Sequence, residues 1–341
     1  MEQPEAYAYL DHNVLDLVTK GDPYKVKELL KEVKLTPVYS DETLKEIHRS
    51  RGYEEKFLEL LEEINAKFIK PVLDNNFKQT GDAKIHVISP KVAYEQFLSN
   101  KSESPEGNFG LSEMMMKFYG GKQNFSFEEI FEEGANELQA YLSQAVESLK
   151  NISGFSSREI EYLKNCISIL PEVMKDQTSK IAAELDQRDE TPISKFEVET
   201  GIGPKLLKNI QPPNVVLQIW EVISKKMDLK NMELDTFFGI KPISFDEDSD
   251  RGRTLQEKVN AIYHQLNFLG YYRDSNMKKE NRFIASFSDM THAGIASFCH
   301  VFLCGDEDLV MKSAAAFEYL EIKTKILHYK ANKSIQMIGW D

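Results

Sequence analysis

Short apolar runs that stop abruptly at polar residues mark both ends of the chain, and long amphipathic stripes fill its middle. Ala6-Tyr7-Ala8-Tyr9-Leu10 is rich in β-formers and halts at Asp11-His12-Asn13, as a buried strand does where it runs into a loop. Asp22-Pro23 then opens a helix with Val26, Leu29, Leu30 and Val33 on one face, and Leu35 to Tyr39 reads as a second strand. Ser40 or Asp41 caps the next helix. The third helical position is then Thr43 or Leu44, neither of them Glu or Gln, so no capping box is expected. Glu42 and Glu46 lie four residues apart on that helix and share a face.

From about Tyr53 to Glu280 the apolar spacing lengthens to that of helices. Phe57, Leu60, Leu61, Ile64 and Phe68 form one stripe; Leu138, Leu142, Val146 and Leu149 form another. Ile160, Leu163, Ile167 and Leu170 form a third, interrupted at Pro171. Lys84 to Ser89 reads as a short strand, residues 100–110 and 246–250 as polar loops, and Thr254 to Gly270 as a helix. Alternation then returns. Phe283 to Phe287 is a short apolar run, Asp289 to His300 a helix with a small-residue face, and Val301 to Cys304 a strand; a helix at Leu309 to Leu320 and a strand at Lys325 to Tyr329 follow. Such alternation predicts a parallel sheet covered by helices, with functional residues gathered at the carboxyl ends of strands. The fold class expected is α/β: a discontinuous domain of residues 1–52 and 281–341, interrupted by a mainly α-helical insertion at 53–280.

With 341 residues, 41% of them hydrophobic, the chain can bury a substantial core. No apolar run reaches the roughly 20 residues that span a bilayer, and the first residues lack the basic-then-apolar layout of a signal peptide. A soluble, cytoplasmic protein with no membrane association is expected. Cys166, Cys299 and Cys304 sit in apolar segments without metal-ligand spacing and read as buried thiols. The net charge of −13 argues against a broad grip on nucleic acid, so any phosphate contact must be local. Basic groups such as His48/Arg49/Arg51 and Lys278/Lys279/Arg282 read first as solvated faces.

Four acids fall in comparable places: Asp11 after the first strand, Glu46 on the helix after the second, Asp289 at a helix start and Asp306 after the strand at Val301. Each alone reads as a turn residue, a surface charge, a helix cap or a strand end. Together they suggest a carboxylate cluster, which cannot stay ionised at close range without a cation. Magnesium or manganese suits such oxygen ligands and serves phosphodiester displacement. There is no P-loop and no legible Ser-His-Asp or Cys-His arrangement.

At these residues the chain resembles the PIN-like metal-dependent nucleases. Tyr9-Leu10-Asp11-His12-Asn13-Val14-Leu15 is similar to the family's opening strand with its Asp-x-Asn, and Tyr39 to Ile47 to the helix that carries the second acid. Ser288-Asp289-Met290-Thr291-His292, with Leu303-Cys304-Gly305-Asp306-Glu307-Asp308-Leu309, resembles the closing block, with Cys304 where Thr or Ser is usual. The likeness covers about the first 50 and the last 60 residues. It implies a PIN-like parallel sheet flanked by helices, and magnesium- or manganese-dependent hydrolysis of RNA in preference to DNA. Asp11, Glu46, Asp289 and Asp306 would be the catalytic metal ligands and Asp308 an assisting one. Asn13 and His292 are candidate substrate contacts. So are Gly201, Gly203 and Lys205, where Gly-Ile-Gly before a helix resembles a phosphate-binding helix-hairpin-helix turn. The partner expected is a nucleic acid, with the helical insertion selecting substrate, binding a regulatory protein or self-associating. RNA processing, a toxin and an antiviral defence effector are the roles the resemblance suggests. The alternative from a different class is a non-catalytic PIN-like scaffold. A haloacid-dehalogenase-type phosphatase needs Asp-x-Asp after the first strand, where Asn13 stands instead.

Overall fold

In the computed structural model, which describes residues 5–75, 78–103, 110–149, 155–187, 190–229, 232–241, 252–330 and 334–339, the first apolar run forms strand β1 (Ala6–Leu10). Next come α1 (His12–Thr19), α2 (Val26–Glu32), β2 (Leu35–Tyr39), α3 (Asp41–Arg49) and α4 (Glu54–Glu63). The hairpin of β3 (Lys67–Leu73) and β4 (Gln79–His86) leads to α5 (Pro90–Glu103). Five helices occupy the middle: α6 (Leu111–Phe118), α7 (Phe127–Leu149), α8 (Ser157–Ser168), α9 (Leu170–Asp186) and α10 (Pro192–Thr200). The chain continues through α11 (Pro204–Leu207), α12 (Val215–Lys226), α13 (Leu234–Phe237), α14 (Leu255–Leu269) and α15 (Glu280–Ala296). It closes with β5 (Val301–Cys304), α16 (Glu307–Tyr319), β6 (Lys325–Tyr329) and β7 (Ile335–Ile338). None of the helices among the described residues is long and apolar enough to cross a membrane.

The seven strands form one sheet in the order β4-β3-β2-β1-β5-β6-β7. The five inner strands are parallel, and β4 and β7 add antiparallel edges. Parallel strands need cover on both faces, which is why β1 reads as continuously apolar: Ala8, Tyr9 and Leu10 are all buried. Successive strands β1, β2 and β3 step one way across the sheet; β5 and β6 step the other way from β1. In open α/β sheets ligands bind beyond the carboxyl ends of the strands at such a reversal, which here falls between β1 and β5.

The chain divides into two compact units. The first comprises Met1–Ser99, Thr200–Asp274 and Ala285–Asp341, and holds the sheet; the second comprises Asn100–Glu199 and Ser275–Ile284. One core of the first unit packs Leu10, Val14, Leu15, Leu44, Ile47, Phe57, Leu61 and Leu303 together. In the second unit α7 is capped from a distance, its Phe127 amide donating to both carboxylate oxygens of Asp186 at 2.8 and 2.9 Å. An anion there also meets the positive end of the helix dipole. Of the predicted third stripe, Ile160 and Ile167 are buried against Val146 with Leu163 packed beside them, whereas Leu170 opens α9, with Pro171 in that helix's first turn where its missing N–H costs nothing.

Several local expectations change. Phe68 lies on β3, not on the preceding helix, and β3 and β4 join the sheet from within the stretch expected to be mainly helical; of the strand expected at Lys84 to Ser89, Lys84 to His86 form the end of β4. Phe283 to Phe287 is no strand: α15 runs unbroken from Glu280 to Ala296, so Asp289 lies inside a helix and does not open one. Residues 100–103 continue α5 where a loop was expected, and the acidic loop at 246–250 lies outside the described residues. Cys166 is exposed, whereas Cys299 and Cys304 are buried; all three are free. Ser40 also forms a capping box after all, because the Thr43 hydroxyl accepts from the Ser40 amide at 3.2 Å as Glu or Gln would. Ser40 Oγ meanwhile meets Tyr9 Oη at 2.7 Å. We expect Ser40→Ala to lower the unfolding free energy in urea by about 1 to 2 kcal/mol; a loss under about 0.3 kcal/mol would show that the cap is idle.

Candidate metal centre

Asp11 sits where β1 ends and α1 begins, and its position follows from the strand it terminates. Its amide donates to the Leu303 carbonyl at 3.0 Å, which ties the end of β1 to β5 and drops the carboxylate at the reversal point of the sheet. The side chain is 1% exposed. Asn13 Nδ2 donates to Asp11 Oδ2 at 3.1 Å, and Cys304 Sγ lies 3.8 Å from the same oxygen. Burial pushes the Cys304 thiol well up, so it remains a weak S–H donor in the place of the expected Thr or Ser hydroxyl.

Helix α3 delivers Glu46 to the same place, and α15 delivers His292. His292 Nε2 and Glu46 Oε2 are 2.8 Å apart, and His292 Nδ1 is 2.6 Å from Tyr9 Oη. One ligand atom from each of Asp11, Glu46 and His292 can be chosen so that all three lie within 4.8 Å of one another. Six ligands around an ion at about 2.1 Å stand about 3 to 4 Å from each other, so a small contraction of this group would close on a cation. His292 was expected to touch substrate. Its ring is fully buried and faces Glu46.

The acids differ in how their charge is met. Burial alone would push Glu46 up, but His292, His12 and Arg49 outweigh it and hold the carboxyl at about 2. Arg49 lies 3.4 Å from Glu46 and 3.6 Å from Glu42, while Ser288 Oγ donates to Glu42 at 2.5 Å and accepts from Arg49 at 2.7 Å. On the imidazole side, burial acts to lower His292, and Tyr9, Glu46 and Asp11 raise it well above its ordinary value. With its proton on, the buried His292 imidazole pairs with the partly buried Glu46 carboxylate.

Asp11, Asp289 and Asp308 show the opposite pattern. Burial raises Asp11 to about 6; His292 and Asn13 pull it down, Glu46 and Asp306 push it further up. Burial, then Asp11, Asp274 and Asp306, raise Asp289 well above the carboxylate range. Asp308 is raised to about 6, chiefly by burial, with Lys312 and Lys208 opposing and Asp306 and Asp274 adding. Among the described residues Asp289, Asp306 and Asp308, expected as metal ligands, are not part of the converging group of Asp11, Glu46 and His292; Asp289 and Asp306 act on Asp11 or on each other through charge. Asp306 caps α16, its Oδ1 accepting from the Leu309 amide at 3.0 Å. Carboxyls whose affinity for protons is raised, as those of Asp11, Asp289 and Asp308 are, are ones that a nearby divalent cation would relieve. The donor set therefore fits a hard or borderline ion.

The glycine turn is less suited to its expected task. Gly201 has φ +62°, and Gly203 precedes a helix of only four residues, too short for a useful dipole. Lys205 is exposed; Lys208 is the residue that acts on Asp308. Sequence reasoning missed Tyr9, Ser288, Tyr263 and Lys312. Tyr263 on α14 is 1% exposed, its hydroxyl is buried without a hydrogen-bond partner, and burial together with Asp274, Asp289 and Asp306 raises it well above its ordinary value. Lys312, a lone cation in the run Val310 to Phe317, was the one signal in the sequence for this second layer. No family model, curated protein or solved structure matches the chain.

Proposed function

We propose that the protein is a divalent-metal-dependent phosphodiesterase of the PIN-like nuclease type, acting on RNA in preference to DNA. The observation that carries this is the buried Asp11 at the sheet's reversal point, with Glu46 and His292 ligand atoms within 4.8 Å. The resemblance of the Asp11, Glu46 and Asp289–Asp306 segments supports the substrate class. Glu46 and His292 converge with Asp11, and Asp289 and Asp308 are further acids whose affinity for protons is raised. When bound, a divalent ion supplies Lewis-acid stabilisation of charge on phosphoryl oxygens and makes water nucleophilic near neutral pH.

The chain's own residues divide the remaining work. Asn13 and Cys304 orient the Asp11 carboxylate, and His292 and Arg49 orient that of Glu46. Arg49 remains 39% exposed beside the cluster, which leaves its planar fork open to a phosphate. Tyr263 Oη offers a buried hydroxyl on the Asp289 side. Exclusion of water by the apolar β1 and β5 termini strengthens each of these interactions.

End-labelled single-stranded RNA incubated with the protein and manganese or magnesium should be cleaved, and EDTA should stop it. Asp306→Asn is the sharper control, because Asn caps helices as well as Asp does and leaves α16 intact. We expect this substitution to slow cleavage at least about 100-fold, a loss of about 3 kcal/mol in barrier stabilisation. Cleavage at the parental rate would remove Asp306 from the site, and no cleavage of RNA or DNA with either ion would leave the scaffold reading standing.

A further inference from the structure

We propose that His292 is itself a metal ligand through Nε2, so that the centre takes a first-row divalent ion, manganese(II) among them, in preference to magnesium. This rests on the metal-dependent reading above and goes beyond it, since the resemblance implies a carboxylate site and gives His292 no metal. A buried imidazole must satisfy two nitrogens, and here each has a defined task. Nδ1 meets Tyr9 Oη at 2.6 Å, and Tyr9 Oη is held in turn by Ser40 Oγ at 2.7 Å and Thr43 Oγ1 at 3.4 Å. This is the outer-layer support that metal-bound histidines have: one nitrogen donates to a fixed oxygen, which sets the tautomer and leaves the other lone pair for the ion.

The other nitrogen points at the carboxylates. Nε2 lies 2.8 Å from Glu46 Oε2, and Asp11 completes a set whose ligand atoms fit within 4.8 Å. An ion at roughly 2.1 Å from each ligand atom would open the 2.8 Å pair slightly and draw in the wider separations of the set. A structural ion pair would require only Glu46 and His292; it gives no reason for a third carboxylate, 1% exposed, to sit against the same imidazole. Magnesium favours oxygen ligands and water, whereas first-row transition ions accept imidazole nitrogen readily. The inner set of one nitrogen and two carboxylates thus discriminates by ligand type.

Electron spin-echo spectroscopy of manganese(II) bound to the full chain tests this without relying on activity. We expect nitrogen modulation from a directly bound imidazole in the parent protein, retained in His12→Gln and lost in His292→Gln. His12 is the necessary control because its Nδ1 lies 3.9 Å from Glu46 Oε2. Calorimetric titration should show manganese binding at least about tenfold tighter than magnesium. Bound manganese without nitrogen modulation, modulation that survives His292→Gln, or equal affinity for the two ions would overturn the assignment of His292 while leaving a metal centre in place. Failure of either ion to bind would overturn the metal-dependent reading as well. If His292→Gln does not fold, the parent and His12→Gln spectra decide: modulation in both supports His292, and its absence from either overturns the assignment.

Discussion

Asp11→Asn is expected to abolish metal-dependent cleavage and, in the metal-free protein at neutral pH, to make the fold more stable. Both effects have one cause. Asp11 is buried, and burial, with Glu46 and Asp306 behind it, raises its carboxyl to about 6 from an ordinary 3.8. A group whose folded value is raised contributes stability below its unfolded value and loses that contribution as pH climbs through the folded value. For Asp11 the window is roughly pH 4 to 6, and the gap corresponds to about 3 kcal/mol of unfavourable charge at pH 7. Raised His292 acts in the same direction, since its favourable charge is lost as pH rises through its folded value. Glu46, held at about 2, is already ionised throughout this window. Asparagine keeps the shape and the contact with Asn13 while removing the charge, so a gain of about 1 to 3 kcal/mol is expected in EDTA at pH 7. Loss of one charged ligand should cost at least about 4 kcal/mol of barrier stabilisation, or about 1,000-fold in rate. Urea unfolding at pH 5 and pH 7, with EDTA or manganese, checks the stability half. Manganese should stabilise the parent chain more at pH 7 than at pH 5 and leave Asp11→Asn unchanged. An Asp11→Asn protein clearly less stable than its parent at pH 7 in EDTA would mean that the carboxylate holds the fold and waits for no cation.

The parts of this centre legible in the sequence are those fixed by strand ends. Asp11 and Asp306 follow apolar runs too short for helices and bounded by polar residues, so the strands and their termini could be placed together. Glu46 followed from helix periodicity after β2. Asp289 was placed at a helix start that does not exist, because a five-residue apolar run such as Phe283 to Phe287 carries no period that separates strand from helix. The continuous α15 nonetheless keeps Asp289 and His292 three residues apart on one face. Strand β3 was hidden by Lys67, Lys70 and Pro71; its parallel pairing to β2 involves only Lys67 and Phe68, and Pro71 falls on the β4 side next to an irregularity. The pairing of Glu46 with His292 joins residues 246 positions apart, and no local pattern encodes it. Which acids are short of positive charge depends on where Arg49, His12 and Lys208 arrive in space, and that is a property of the packed chain alone.

Lys312→Met is expected to be the most destabilising single change in the sheet-bearing unit. Lys312 is fully buried on α16, and its Nζ donates to Asp274 Oδ1 at 2.6 Å, the Tyr272 carbonyl at 2.9 Å and Asn267 Oδ1 at 3.1 Å. It also lies 4.7 Å from the centre of the Tyr263 ring. Asp274 is held further by Ser286, whose hydroxyl donates at 2.5 Å, so the cation links α14 and α16 to the segment after Tyr272 and to α15. Methionine fills much of the volume but leaves a carboxylate, 13% exposed, without its counter-charge. Removing one partner of a buried pair costs roughly 3 to 5 kcal/mol, most of it from the charge left behind. Urea unfolding should register that loss, and Lys312→Met combined with Asp274→Asn should recover most of it, because the orphaned charge goes too. Recovery matters for the centre as well as for the fold: Tyr263 packs against Lys312 and faces Asp289 and Asp306 electrostatically, so the double variant should fold yet bind manganese more weakly than the parent. A loss below about 1 kcal/mol for Lys312→Met would show that water reaches Asp274 and that the pair is no internal brace. A double variant no more stable than the single one would place the cost in lost packing around the lysine stem instead.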